Sequence, residues 1–225
     1  METKTFVFTL CLVALGYMLF QISFFEKSNV VAQPSPAVIP FQGKNLSSMV
    51  PNFSVNVNIS AKTRMVTYVN TLNGISMLYP SDWQSSLAGL SFPEIIRFYS
   101  PLQNISDFIP AQITIGVTKY TSNGITLPQY TSFVLTLLNK SQEQKQLTVD
   151  NSNPIVVGGN PGYRVTFTSS PSLNSTSQLR TMEIWTIVDN KLYTISYVAE
   201  PSKFATYLPK VTGMLGSLRI ARIPS

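Results

Sequence analysis

Thr5 to Phe25, TFVFTLCLVALGYMLFQISFF, carries no charge and is dominated by large apolar side chains. At about 1.5 Å rise per residue, a helix over this run crosses the roughly 30 Å hydrocarbon core of a bilayer. Lys4 and the Glu26-Lys27 pair bracket it. No polar face interrupts the run, which argues against a buried helix of a soluble domain. The expectation is one N-terminal membrane-crossing helix within residues 1–27, with everything after it a cargo presented at a membrane.

A secretory signal peptide is the competing reading, since it too begins with a basic residue, continues apolar and ends at a small-residue site. Val30-Val31-Ala32 is the candidate cleavage site. Signal cores usually run only about 7 to 15 residues, whereas Phe20, Phe24 and Phe25 keep this run apolar to its far end. Retention predicts a single-pass cell-membrane protein with an extracytoplasmic C-terminal domain, and cleavage predicts a secreted one. Cys11 lies inside the span, without the small-residue context of a lipid-modified cysteine, and reads as a packing residue.

Asn-X-Ser/Thr sequons at Asn45, Asn52, Asn58, Asn104, Asn139 and Asn174 favour an extracytoplasmic, glycosylated domain. The exported part has no cysteine and so no disulfide, which fits a prokaryotic surface better than a small secreted eukaryotic module. Residues 28–62 contain Pro34, Pro36, Pro40 and Pro51 among Ser and Asn, and read as a tether. FSVNVNI at Phe53 to Ile59 alternates with period two, so an N-terminal strand wrapping the domain is the other reading there. Residues 63–225 then form one extracytoplasmic domain, long enough to build a core without metals or disulfides.

Periodicity within that domain alternates between that of strands and that of helices. Met65 to Asn70 and Gly74 to Tyr79 read as strands around a Leu72-Asn73-Gly74 turn, stopped by Pro80. Phe98-Tyr99 and Gln112 to Tyr120 follow, the latter alternating as a half-buried strand would. Leu127 to Lys140 carries Tyr130, Phe133, Val134, Leu137 and Leu138 on one helical face, with Pro128 in the first turn. Strand signals resume at Pro154 to Val157 and Tyr163 to Thr168, with breaks expected at Gly158-Gly159 and Pro161-Gly162. The strongest hairpin signal is Leu179 to Val188 with Leu192 to Ala199, turning at Asp189-Asn190-Lys191 and expected to lie centrally. From Pro201 to Leu218, Phe204, Tyr207, Leu208, Val211, Leu215 and Leu218 share a helical face. Pro209 there predicts either a kink or a helix that begins at it. Arg219 to Ile223 returns to a sheet edge.

The order of these residues resembles the PsbP/Mog1-like domains. Tyr68, Gly74-Ile75-Ser76, Tyr79-Pro80, Trp83 and Phe98-Tyr99-Ser100-Pro101 look like the opening of that family. Gly162-Tyr163-Arg164-Val165, Asn190-Lys191-Leu192-Tyr193 with Ile195, and Leu215-Gly216-Ser217-Leu218 are similar to its later strands and closing segment. The resemblance implies an α+β fold, an antiparallel sheet of about six strands flanked by helices as an α/β/α sandwich. With the anchor it implies a membrane-anchored prokaryotic member, an archaeal source among those it fits. Family members serve as an extrinsic subunit of photosystem II, as a partner of a nuclear GTPase and as surface lipoproteins, mostly interaction roles.

The chain has no histidine, which removes Ser-His-Asp and Cys-His catalysis and most zinc, copper and haem ligation. Beyond the anchor its carboxylates are Asp82, Glu94, Asp107, Glu143, Asp150, Glu183, Asp189 and Glu200, and no acid/base pair stands out by spacing. Asp150-Asn151-Ser152-Asn153 reads as an exposed turn or as calcium oxygens at a spacing unlike any EF-hand. Gly158 to Gly162 reads as a turn or, superficially, a phosphate loop without its Gly-Lys-Ser/Thr ending. Asp82 reads as a local turn cap. Lysine and arginine exceed aspartate and glutamate, 16 to 10, but the cations form no run, so nucleic acid is not an expected partner and the charge reads as an aid to solubility or as a diffuse attraction to anionic head groups or envelope polymers. Tyr79, Trp83, Phe98 and Tyr99 read as core aromatics or as the lining of a pocket. No catalytic residue, cofactor or metal is expected. A non-enzymatic module binding a protein partner in or at the membrane is the leading expectation, and a small-ligand or metal-binding surface protein the alternative.

Overall fold

The structure is a computed structural model that describes residues 64–87, 90, 92–102, 110–120, 124–170 and 178–222. Thr5 to Phe25, the tether and the sequons at Asn45, Asn52, Asn58, Asn104 and Asn174 lie outside them. Among the described residues no helix is long and apolar enough to cross a membrane.

Among the described residues, two antiparallel sheets and two α-helices make up the α+β architecture. In chain order the elements are β1 (Met65–Asn70), β2 (Ile75–Pro80), β3 (Gln84–Ser86), β4 (Glu94–Tyr99), β5 (Gln112–Lys119), α1 (Leu127–Glu143) and β6 (Leu147–Val157). There follow β7 (Asn160–Ser169), β8 (Leu179–Val188), β9 (Lys191–Ala199), α2 (Pro201–Ser217) and β10 (Arg219–Ile220). The main sheet has seven strands in the order β3-β4-β5-β9-β8-β7-β6, and β1-β2-β10 form a small sheet of three. The β8–β9 hairpin lies in the middle of the main sheet, as its sequence predicts.

The β8–β9 and β6–β7 hairpins each turn on two residues held at positive φ. Asp189 and Asn190 sit at φ 49° and 59°, and Gly158 and Gly159 at 59° and 84°, which matches the twist of the flanking strands. The second turn therefore joins strands, with β7 following it directly, and the phosphate-loop reading of Gly158 to Gly162 falls. Pro161-Gly162 is no break: both residues lie inside β7.

Two other expectations change for a common reason, position in the sheet. β5 is buried on both faces, Gln112 and Thr114 included, because it lies between β4 and β9 in the interior of the sheet. β6 begins at Leu147 rather than Pro154, since an edge strand tolerates polar residues, a proline and the bulge between Val149 and Asn151. The Asp150-Asn151-Ser152-Asn153 stretch is thus strand and not turn, and the Asp150 carboxylate lies 3.2 Å from Arg180 Nε.

The helices cover opposite faces and are offset. α1 starts with a capping box between Thr126 and Gln129 and lays Tyr130, Val134 and Leu138 on Val165, Phe167 and Trp185. The Trp185 indole N–H donates to Thr131 Oγ1 at 2.9 Å and fixes the helix to β8. On the other face α2 buries Phe204, Tyr207, Val211 and Met214 against Ile184, Ile195, Tyr197, Phe98 and the inner face of β2. Each such side chain contributes about 1.5–3 kcal/mol when withdrawn from water. α2 runs unbroken from Pro201, with Pro209 inside it, so the helix does not begin at Pro209. The small sheet completes this layer: Ala221 N donates to Gly74 O, and Ile220 N to Gly158 O, joining it to the β6–β7 turn.

Candidate functional site

Three of the four singled-out aromatics belong to the α2-side core. Phe98 is fully buried, with the Tyr79 ring 4.8 Å away and the Tyr68 ring 5.6 Å away edge-on. Trp83 meets Tyr207 of α2 edge-on at 5.7 Å. The Tyr207 hydroxyl donates to Pro101 O at 3.1 Å, tying the exit of β4 to the helix. Asp82 does not cap a turn with its carboxylate, which instead takes Lys210 Nζ at 2.9 Å. The Trp83 indole N–H is buried without a hydrogen-bond partner.

Tyr99 is separated from this group because strand residues alternate faces. It lies on the α1 side of the sheet, where Arg97 donates to its hydroxyl at 3.2 Å. Arg97 also grips both oxygens of Glu94 at 2.6 Å, and the Glu94 side chain is wholly shut off from water. Burial opposes the Arg97 charge, but the hydrogen bonds to Glu94 and Tyr99 more than offset it, so its pKa rises above the ordinary guanidinium value.

Strand pairing continues this polar set across the sheet: Arg97 stands opposite Thr114, Thr114 opposite Ser196, and Ser196 opposite Glu183. Glu183 is the group sequence spacing passed over. Burial pushes its pKa up to about 8, partly countered by the hydrogen bond that Ser196 donates. At neutral pH it is therefore a protonated acid. Its signal was present in the strand pattern, because it shares inward parity with Thr181 and Trp185 in a strand expected to be central. On the opposite face, burial and then the Phe204-side packing of α2 confine Tyr197, whose hydroxyl donates to Phe204 O at 3.0 Å.

These groups do not assemble a nucleophile with a base. Glu94 and Arg97 neutralise one another, and Glu183 is held by a serine of the neighbouring strand. Among the described residues no three histidine, cysteine, aspartate or glutamate side chains come close enough to hold a metal. Asn139, the one sequon asparagine described, is exposed on α1.

The arrangement of sheet and helices matches a solved structure. The solution structure of cyanobacterial PsbP (CyanoP) from Synechocystis superposes with a TM-score of 0.50 at 14% identity, over 73% of this chain and 96% of that one. The fold is PsbP-like. LpqN of Mycobacterium tuberculosis, described as involved in cell envelope biogenesis, is similar at TM-score 0.50 and 13% identity over 72% of this chain and 92% of its own. The Saccharomyces cerevisiae Ran-binding protein Mog1p is similar at TM-score 0.47 and 8% identity, over 70% and 96%. No family model matches the sequence, and no curated protein matches it.

In the PsbP-like frame, the residues that carried the sequence resemblance are structural. Tyr79-Pro80 ends β2, Trp83 packs under α2, and Gly162 lies where any Cβ would stand 2.7 Å from the Trp185 carbonyl. A further surface of the fold is open. β1 is the edge of the small sheet among the described strands, and its outer face exposes Met65, Thr67 and Val69 beside Leu78 of β2.

Proposed function

We propose that this chain is a non-catalytic, membrane-anchored extracytoplasmic module whose PsbP-like domain binds a protein partner in or at the membrane. The observation that carries it is the open face and edge of the small sheet. Met65, Val69 and Leu78 stand there in solvent at the end of an otherwise buried layer, beside the β1 backbone, which pairs on one side only among the described residues. Such an edge takes an added strand from another chain, with alternate side chains seated on the apolar face. The Thr5 to Phe25 run supplies the anchor in this reading, the sequons carry glycans, and the scarcity of catalytic chemistry fits a binding role. Isolation of the full chain from its own membranes in mild detergent tests it. A stoichiometric partner retained by the native protein and lost with Val69→Asp is the expected result, and recovery of the chain alone contradicts it.

The Trp83 indole supports a second reading, a small ligand held between sheet and α2. A buried N–H without an acceptor costs roughly 1–3 kcal/mol, which a ligand oxygen would recover. At 100 times its dissociation constant such a ligand stabilises the fold by about 2.7 kcal/mol. Thermal shifts across metals, lipids and sugars decide it, and a flat screen removes it.

A further inference from the structure

The four most exposed large apolar side chains among the described residues are Leu72, Val156, Leu87 and Phe92, at 80%, 76%, 69% and 67% exposure. Three of them belong to connections at one end of the main sheet, and Val156 to the last turn-proximal residues of β6 at the same end. Leu72 lies in the β1–β2 turn, whose Asn73 carbonyl accepts from the Tyr193 hydroxyl and whose Leu72 carbonyl accepts from Lys191 Nζ. That places it against the start of β9. Lys191 pairs with Lys119, the last residue of β5. Phe92 precedes Pro93, whose carbonyl accepts from Val117 N of the same strand. Leu87 begins the same β3–β4 connection, and Val156 stands two residues before the β6–β7 turn that Ile220 clasps.

Charge at this end is one-sided. Lys119, Arg219 and Arg222 are exposed and Lys191 half-buried, and the facing acid is Asp189, 4.0 Å from Arg222. Glu94, the other carboxylate nearby, is buried on Arg97. The apolar tips are spread over three places around the sheet end, the β1–β2 turn, the β3–β4 connection and the end of β6. A soft, flat surface with negative charge at its face and apolar depth behind it meets them all.

We infer that this end of the domain docks on the anionic headgroups of a lipid bilayer, with Leu72, Phe92 and Val156 entering the interface and Lys119, Lys191, Arg219 and Arg222 at the phosphates. The inference rests on the proposed membrane anchor only for bringing the domain to a bilayer. Each cation near an anionic surface favours docking about fivefold, and each buried apolar tip adds to it. Arg64 enters β1 at the opposite end from Leu72, and the reading of residues 28–62 as a tether gives a reach on the order of 100 Å at about 3.1 Å per extended residue, enough for either end to face the membrane.

The test adds the full chain to preformed vesicles of phosphatidylglycerol or of phosphatidylcholine, with one nitroxide per molecule. A label on native Cys11 reports the span. Leu72→Cys, Phe92→Cys and Leu102→Cys, each combined with Cys11→Ala, report the two ends of the domain. In phosphatidylglycerol the Leu72 and Phe92 labels become accessible to oxygen and shielded from an aqueous nickel chelate. In phosphatidylcholine they remain in water, as the Leu102 label does in both. Lys119→Glu with Arg222→Glu reduces the docked fraction at least tenfold. Leu72 and Phe92 labels that stay in water on phosphatidylglycerol overturn the docking, whether or not the Cys11 label lies in lipid. A Cys11 label in water refutes the anchor instead. Labels shielded only when a membrane protein is added assign this end to a protein and overturn the lipid surface.

Discussion

Glu183 shows how a single side chain couples this core to pH. Its carboxyl titrates at about 8 in the folded chain against an ordinary 4.5, so the folded state holds the proton more tightly than the unfolded state. The stability it contributes is complete below about pH 4.5 and is lost as pH rises through about 8. Melting temperatures of Glu183→Gln and the native chain across that range should diverge, with the native curve falling and the variant flat. Parallel curves would show that Glu183 is not the group responsible. Arg97 presents the opposite case, a charge kept because its partner cannot reach water. Arg97→Met should cost roughly 3–5 kcal/mol, and combining it with Glu94→Gln should cost less than the two separate losses together. Denaturant titration of the three variants measures that coupling, and simple additivity would deny it. Neither residue announced itself by spacing. Glu94 and Arg97 are ordinary in a sequence count, and only the strand pairing that buries β4 makes them a closed pair.

Elements were more legible than their contents. The β8–β9 hairpin and both helices follow from periodicity and turn chemistry, because tight turns and amphipathic faces are encoded locally. The extent of β6 and the double-sided burial of β5 were not legible, since those depend on neighbours supplied by distant parts of the chain. The aromatic group was divided for the same reason: Phe98 and Tyr99 are adjacent in sequence and lie on opposite faces of the sheet. Two substitutions probe elements directly. Gly158→Ala places a Cβ 2.7 Å from Ile220 Cγ1 at a φ of 59°, and should destabilise by about 1–3 kcal/mol, whereas unchanged stability would mean that β10 yields freely. Pro209→Ala restores a backbone donor inside α2 and should raise the melting temperature. A fall would show that the proline ring contributes packing that outweighs the lost bond.

At the scale of the molecule, α1 and α2 sit offset on opposite faces of a seven-stranded sheet, and the small sheet extends the α2 layer to an edge that is open among the described residues. The PsbP-like architecture was anticipated by an ordered set of short motifs, none specific alone, and those motifs turn out to mark strand ends and core contacts. That is why they report fold and leave the partner unnamed: the face proposed to bind a protein, with Met65, Val69 and Leu78, lies on side chains that the motifs do not include. The central claim is that the outer face of β1 and β2 meets a protein. A photo-crosslinking residue placed at Val69 in the intact cell tests it most directly, with the same group at exposed Ser132 of α1 as the reference. The account predicts one dominant crosslinked protein from Val69 and none from Ser132. No crosslink at Val69, or the same diffuse pattern from both positions, would contradict it.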